Sequence, residues 1–323
     1  MTQKEEIFDF IGKDWDRVLD LIHTNLHSDV QLLEETNDRI LSNSGKMLRP
    51  AIAMLVARMI GPATEDSCRF AAAAEMLHNA TLMHDDVADE SAERRGRPTL
   101  SSLLGPSAAV LVGDYWLARA VSIISASEHR DDVIPLFTRT LTDLAEGEML
   151  QLEKASSADT SEEDYLRIIY CKTASLFSVA AETAAISVTA TPEQQTAARA
   201  YGSAFGIAFQ IKDDILDYAG TDALGKPVGV DLREQKITLP LLGALEGSPR
   251  EEEIRAMVRD IPAHPEYCDA IRAFVAERDG IAFASRRLEE WVARTEAALD
   301  VFPDGPARQM LIHIARFNLG REV

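Results

Sequence analysis

Two clusters of carboxylates carry the strongest chemical signal in the chain: Asp85-Asp86-Val87-Ala88-Asp89 and Asp213-Asp214-Ile215-Leu216-Asp217. Each reads D-D-x-x-D, and each follows an apolar, helix-patterned run. On a helix, residues four apart share a face, so Asp85 stacks with Asp89 and Asp213 with Asp217. Like charges one turn apart repel, and a hard divalent cation bound through oxygens removes that cost. A single copy reads better as a solvated acidic helix end. Two copies beside apolar sequence favour metal binding, with Asp86 and Asp214 completing the two sets. Facing each other, they would cradle a strongly anionic substrate.

Basic residues lie near both clusters. Arg94 and Arg95 follow the first, and adjacent guanidinium forks suit a diphosphate. Lys46 and Arg49 are three apart in Gly45-Lys46-Met47-Leu48-Arg49-Pro50, at a predicted helix start, where backbone N–H groups also favour anions. Lys226 follows the second cluster in Leu224-Gly225-Lys226-Pro227, a loop from which it can swing onto a phosphate. Lys172 sits inside an apolar helix face, followed by Thr173. Glu75 and His78 have the Glu-x-x-His spacing of di-iron bundles, but no second such pair accompanies them. No G-x-S-x-G motif supplies a nucleophile.

The elements that must position these groups read as helices. Apolar residues recur at three- and four-residue spacing, and no run alternates with period two. Gly and Pro punctuate the chain into about a dozen helices. Ser161 and Thr191 read as N-caps. No linker composition appears, so the expectation is all-α: one helical-bundle domain over 1–323, with the clusters on facing helices around a central cavity. With 46% hydrophobic and 27% charged residues the composition is that of an ordinary globular chain. A net charge of −20 argues against nucleic acid as a partner. It also requires that an anionic substrate be met locally, by metal ions and placed Lys and Arg. The polar start, the lack of any run of about 18 uncharged apolar residues, and three scattered cysteines predict a cytoplasmic protein with reduced thiols.

Taken in order, these motifs resemble the all-trans isoprenyl (polyprenyl) diphosphate synthases. The resemblance runs from Gly45 to beyond Pro240. It rests on Gly45-Lys46-x-x-Arg49-Pro50, both D-D-x-x-D clusters, Arg94-Arg95-Gly96-x-Pro98-Thr99, Gly113-Asp114, Glu146-Gly147-Glu148, Lys172-Thr173, Phe209-Gln210, Leu224-Gly225-Lys226-Pro227 and Lys236-Ile237-Thr238-Leu239-Pro240. It implies a prenyltransferase joining isopentenyl diphosphate to an allylic diphosphate, with three Mg²⁺ per site. The implied metal ligands are Asp85, Asp89 and Asp213, with Asp86, Asp214 and Asp217 in direct or water-mediated support. Arg94, Lys172, Thr173, Gln210 and Lys226 would contact the allylic diphosphate. Lys46, Arg49, His78 and Arg95 would hold isopentenyl diphosphate. Asp85, Asp89, Asp213, Lys172 and Lys226 would carry catalysis. Homodimers are implied, with the interface near the first cluster and the product passing to membrane enzymes.

In this family, residues just before the first cluster gate the product tunnel. Here they are Ala80 and Thr81, about 7.5 Å below the metals, expected on nearly the cluster's own face. Both are small, and Ala71 to Ala74 extend the small-residue run. That predicts a product of about six to ten isoprene units, with a C20 product as the alternative and Tyr115 and Trp116 as residues that could plug the tunnel. A class I terpene cyclase would lack a second diphosphate site, and a regulatory subunit would lack one cluster.

Overall fold

The computed structural model describes residues 3–43, 45–94, 96–219 and 229–320. Arg95, and Lys226 with its Leu224-to-Pro227 loop, lie outside the described residues. Among the described residues the chain is all-α apart from one small hairpin. Seventeen α-helices are present among the described residues, more than punctuation suggests, because several have only one or two turns. The hairpin was not expected from the sequence. Glu93–Arg94 pairs antiparallel with Arg97–Pro98, and Gly96 takes a φ of 72° in its turn. Strands of two residues are too short to show alternation.

The chain divides into two compact units. The first comprises Met1–Thr138, Val179–Arg199 and Val301–Leu311; the second comprises Arg139–Ser178, Ala200–Asp300 and Ile312–Val323. Each is assembled from separate stretches, so neither could be excised as one segment.

In the first unit, the helix Lys13–Leu26 buries Trp15, Val18, Ile22 and Leu26 at three- and four-residue spacing. The helix Leu48–Ile60 is apolar all round and buried from Pro50 to Ala57, as an interior helix must be. Arg58, near its end, donates to the Phe10 and Ile11 carbonyls and pairs with Asp14. The first cluster ends the helix Glu65–Ala88, which a Thr64–Ser67 capping box opens. Ala71 to Ala74 are fully buried in this helix, where their small side chains allow close packing. Along it runs the helix Pro106–Ser125. Length and a mean hydropathy of 1.3 would let that helix cross a membrane. Its Trp116 is nevertheless buried and donates to Asn37 Oδ1 at 2.8 Å, and Tyr115 donates to the His27 carbonyl at 2.9 Å. It is a packed helix of a folded unit, and these hydrogen bonds hold both rings in place.

In the second unit, the second cluster ends the helix Pro192–Ala219. Phe205 on that helix meets Phe177 edge-on at 5.0 Å between centroids. Ser161 caps its helix through a box with Asp164, as its sequence predicts. Thr191 and Gln194, which belong to the first unit, form the equivalent box where the helix Pro192–Ala219 starts.

Candidate active site

The helix Glu65–Ala88 carries the first cluster on its last turn, with Asp89 as C-cap. Asp85 is half-buried and Asp89 exposed. At about 100° per residue, His78, Thr81, Asp85 and Asp89 share one face. Ala80 does not: it lies about 140° from Asp85 and is fully buried. That corrects the expectation of a shared face, because five residues are nearly one and a half turns. The Thr81 hydroxyl donates to the His78 carbonyl at 2.9 Å. Asp86 points inward and accepts from Arg94 Nε at 2.7 Å. Burial pushes the Asp86 carboxyl up, and Arg94 opposes the rise. His84 lies over Gly113, where a Cβ would come within 2.4 Å of its ring, and pairs with Asp114 at 3.3 Å. The Gly113-Asp114 motif therefore makes room for, and orients, the residue before Asp85.

Ahead of the helix Leu48–Ile60, Met47 adopts a left-handed backbone with φ 54°. Lys46 thus precedes the helix, exposed, while Arg49 is half-buried in its first turn.

The second cluster is wired differently. Asp213 is half-buried. Asp214 is buried and accepts from Tyr165 Oη at 2.6 Å and Gln210 Nε2 at 2.8 Å. Burial pushes the Asp214 carboxyl up to about 7, the charges of Asp213 and Asp217 add to the rise, and those two donors oppose it. Asp217 accepts from the Val230 and Asp231 backbone N–H groups at 3.1 and 3.3 Å. It thereby ties the end of its own helix to the helix Val230–Arg233. Asp231 is itself raised well above the usual carboxylate range, first by burial and then by the charges of Asp214 and Asp217.

Lys172 and Thr173 sit in a π-turn, Tyr170–Ala174, which interrupts the helical run from Glu162. Such turns carry one extra residue and recur at functional sites. Two glycines admit it. A Cβ on Gly147 would come within 2.5 Å of Cys171 Cβ, and one on Gly206 within 2.4 Å of Ala174 Cα. Glu148, beside Gly147, pairs with Lys172 Nζ. Gln210, one turn beyond Gly206, accepts from the Thr173 hydroxyl at 2.8 Å. The Glu146-Gly147-Glu148 motif is thus a close approach plus a counter-ion.

This arrangement has recognisable relatives. The family model for polyprenyl synthetase matches residues 30–275. The octaprenyl diphosphate synthase of Haemophilus influenzae is 38% identical over 98% of this chain and 97% of its own. A decaprenyl diphosphate synthase crystal structure from Rhodobacter capsulatus superimposes with a TM-score of 0.92 at 34% identity, covering 99% of this chain and 100% of that one. The chain belongs to the polyprenyl synthetase family. It is a trans-prenyltransferase with the all-α isoprenoid synthase fold. Polyprenyl synthetases use isopentenyl and allylic diphosphates and depend on Mg²⁺. A polyprenyl synthase from Caulobacter crescentus, 33% identical with a TM-score of 0.90 over 99% of this chain and 98% of that one, was solved with calcium and isoprenyl diphosphate.

The donor set of this polyprenyl synthetase fits such a cation. It consists of carboxylate oxygens, the ligands hard divalent ions prefer. Burial raises Asp214, Asp217 and Asp231, and neighbouring carboxylate charges add to the rise at Asp214 and Asp231, a cost that a nearby cation relieves. Among the described residues no three acids, histidines or cysteines converge on one point. Mg²⁺ takes one or two carboxylates with phosphate oxygens and waters, and needs no such cage. Sequence reasoning missed Tyr165 and Asp231. Tyr165 is one apolar position among many in a helix, and Asp231 lies outside any repeated pattern. The single available signal was the clustering of Asp231 with Arg233 and Lys236 after the second motif.

Proposed function

We propose that this polyprenyl synthetase makes a polyprenyl diphosphate of about eight to ten isoprene units, by repeated trans addition of isopentenyl diphosphate to an allylic primer. The observation that carries this reading is the half-buried Thr173–Gln210 pair beside Lys172 and Asp213. Asp85, Asp89 and Asp213 hold the Mg²⁺, three ions in all. Asp86, Asp214 and Asp217 support them through their protein hydrogen bonds. Bound Mg²⁺ supplies neutralisation of the charge that gathers on the departing diphosphate. Arg94, Lys172, Thr173, Gln210 and Lys226 bind and orient that diphosphate. Lys46, Arg49, His78 and Arg95 hold isopentenyl diphosphate. The allylic C–O bond breaks, the isopentenyl double bond adds to the freed allylic carbon, and a proton leaves to the released diphosphate. Apolar surroundings keep water from the cation. Incubation with Mg²⁺, labelled isopentenyl diphosphate and C5 to C20 primers tests this. No incorporation with any primer overturns it, release of cyclic hydrocarbon favours a cyclase, and arrest at C20 overturns the chain length.

Relatives named for octaprenyl and decaprenyl products support the long chain, as do the small residues at 80 and 81. Ala80→Phe and Thr81→Phe are each expected to shorten the product ladder. Ala80 is fully buried, so its ring costs about 1–3 kcal/mol of packing, and the thermal midpoint should be read alongside. A ladder unchanged in both variants removes the gate.

The protein works as a homodimer in the cytoplasm and hands its product to membrane enzymes. Leu103, Leu104, Val110, Leu111 and Val121 support the dimer, as exposed apolar side chains following the first cluster. Leu111 is 68% exposed. Leu111→Arg should move the sedimenting species from dimer to monomer, and an unchanged dimer places the interface elsewhere.

A further inference from the structure

We infer that Tyr165 is a positioning residue for the allylic diphosphate, acting through Asp214 and Gln210 on Thr173. The inference rests on the assignment of Thr173 and Gln210 to that diphosphate. Four side chains from three elements form one line of hydrogen bonds. Tyr165, in the helix Glu162–Ile169, donates to Asp214 Oδ2 at 2.6 Å. Gln210 Nε2 donates to Asp214 Oδ1 at 2.8 Å, both on the second-cluster helix. Thr173 Oγ1, in the π-turn, donates to Gln210 Oε1 at 2.8 Å.

The direction of this line is dictated from its buried end. Tyr165 and Asp214 are 2% and 3% exposed. Both Asp214 oxygens accept, one from Tyr165 and one from Gln210, so Asp214 takes the N–H edge of Gln210 and the Gln210 carbonyl faces Thr173. That carbonyl also only accepts, so the single proton of the Thr173 hydroxyl is committed to it. Two capacities remain for a ligand: the second N–H of Gln210 as a donor, and the lone pairs of the Thr173 oxygen as acceptors. The first suits a phosphate oxygen. The second suits a water that in turn donates to a phosphate oxygen, so Thr173 reaches the diphosphate through it.

The phenol keeps this polarity in place. With Tyr165 donating, each Asp214 oxygen has its own partner. Without it, a buried carboxylate is one donor short, and the Gln210 amide already bonded to it carries a second N–H. The amide would turn inward to satisfy Asp214 and leave the ligand. Asp214, formally the middle acid of a metal motif, thus works as a hinge pin between phenol and amide.

Tyr165→Phe removes the hydroxyl and keeps the ring. With farnesyl diphosphate as primer, its KM should rise about three- to tenfold, while the KM for isopentenyl diphosphate stays unchanged. In a Gln210→Ala background, Tyr165→Phe should add nothing further to the farnesyl diphosphate KM. An unchanged primer KM in Tyr165→Phe, when Gln210→Ala alone raises it, overturns the inference. So does an effect of Tyr165→Phe that is equally large without Gln210. Both KM values moving together with a lower thermal midpoint would mark a merely structural role and overturn it too. No change in primer KM on Gln210→Ala alone overturns the assignment of Gln210 beneath the inference as well.

Discussion

Asp85→Ala and Asp213→Ala should each lower kcat about a thousandfold or more, without unfolding the chain. Both residues are half-buried carboxylates, whereas their neighbours Asp86 and Asp214 are buried against protein donors. Removing either of the first pair takes a charge from the cation site. The barrier then rises because the charge gathering on the leaving diphosphate is no longer neutralised. Single-turnover rates at saturating Mg²⁺, with circular dichroism as a control on folding, check this. The contrast within each cluster sharpens the test. Asp214→Ala strips the buried Tyr165 hydroxyl and the half-buried Gln210 amide of their acceptor, so its loss of activity should come with a lower thermal midpoint. Near-normal turnover in Asp213→Ala would falsify the metal assignment of the second cluster.

Gly206→Val should cost about 3 kcal/mol of stability and most of the activity together. Gly206 crosses the π-turn so closely that even a Cβ would come within 2.4 Å of the Ala174 backbone. Backbone cannot rotate aside as a side-chain tip does, so the two elements must separate. A Cβ on Gly202, one turn earlier, would likewise come within 2.4 Å of the Phe177 carbonyl oxygen. The positions 202, 206 and 210 form one face of the helix. Separation at Gly206 therefore carries Gln210 away from Thr173, whose hydrogen bond spans only 2.8 Å. Thermal unfolding and the primer KM should both shift. Gly61→Ala, at a position where a Cβ meets nothing within 4 Å, is the matched control and should change neither.

Much of this site was legible in the sequence for a physical reason. The D-D-x-x-D spacing matches the helical repeat, so Asp85 with Asp89 and Asp213 with Asp217 declare themselves at short range. The all-α class followed from the three- and four-residue recurrence of apolar positions. What stayed hidden depends on rotation and on long-range partners. Ala80 looked close to Asp85 along the chain, yet the helix turns it to the opposite side and buries it. The link from Tyr165 to Asp214 joins residues 49 apart, and neither residue type announces the other. For glycines 147 and 206, only the close crossing explains why no side chain is present. The hairpin at Arg94 was invisible because two-residue strands have no period to detect.

The π-turn at Tyr170–Ala174 has one more consequence. One surplus residue in a helix is a phase shift of about 100°. The stretch before it and the stretch after it keep separate phases, so mutations that tune burial on one side leave the other side's facing untouched. A hydrophobic pattern traced straight through from Glu162 would slip out of step at Lys172. Deleting one residue from the turn would put the whole run back in step, and would swing Lys172 and Thr173 off the bearing they now hold.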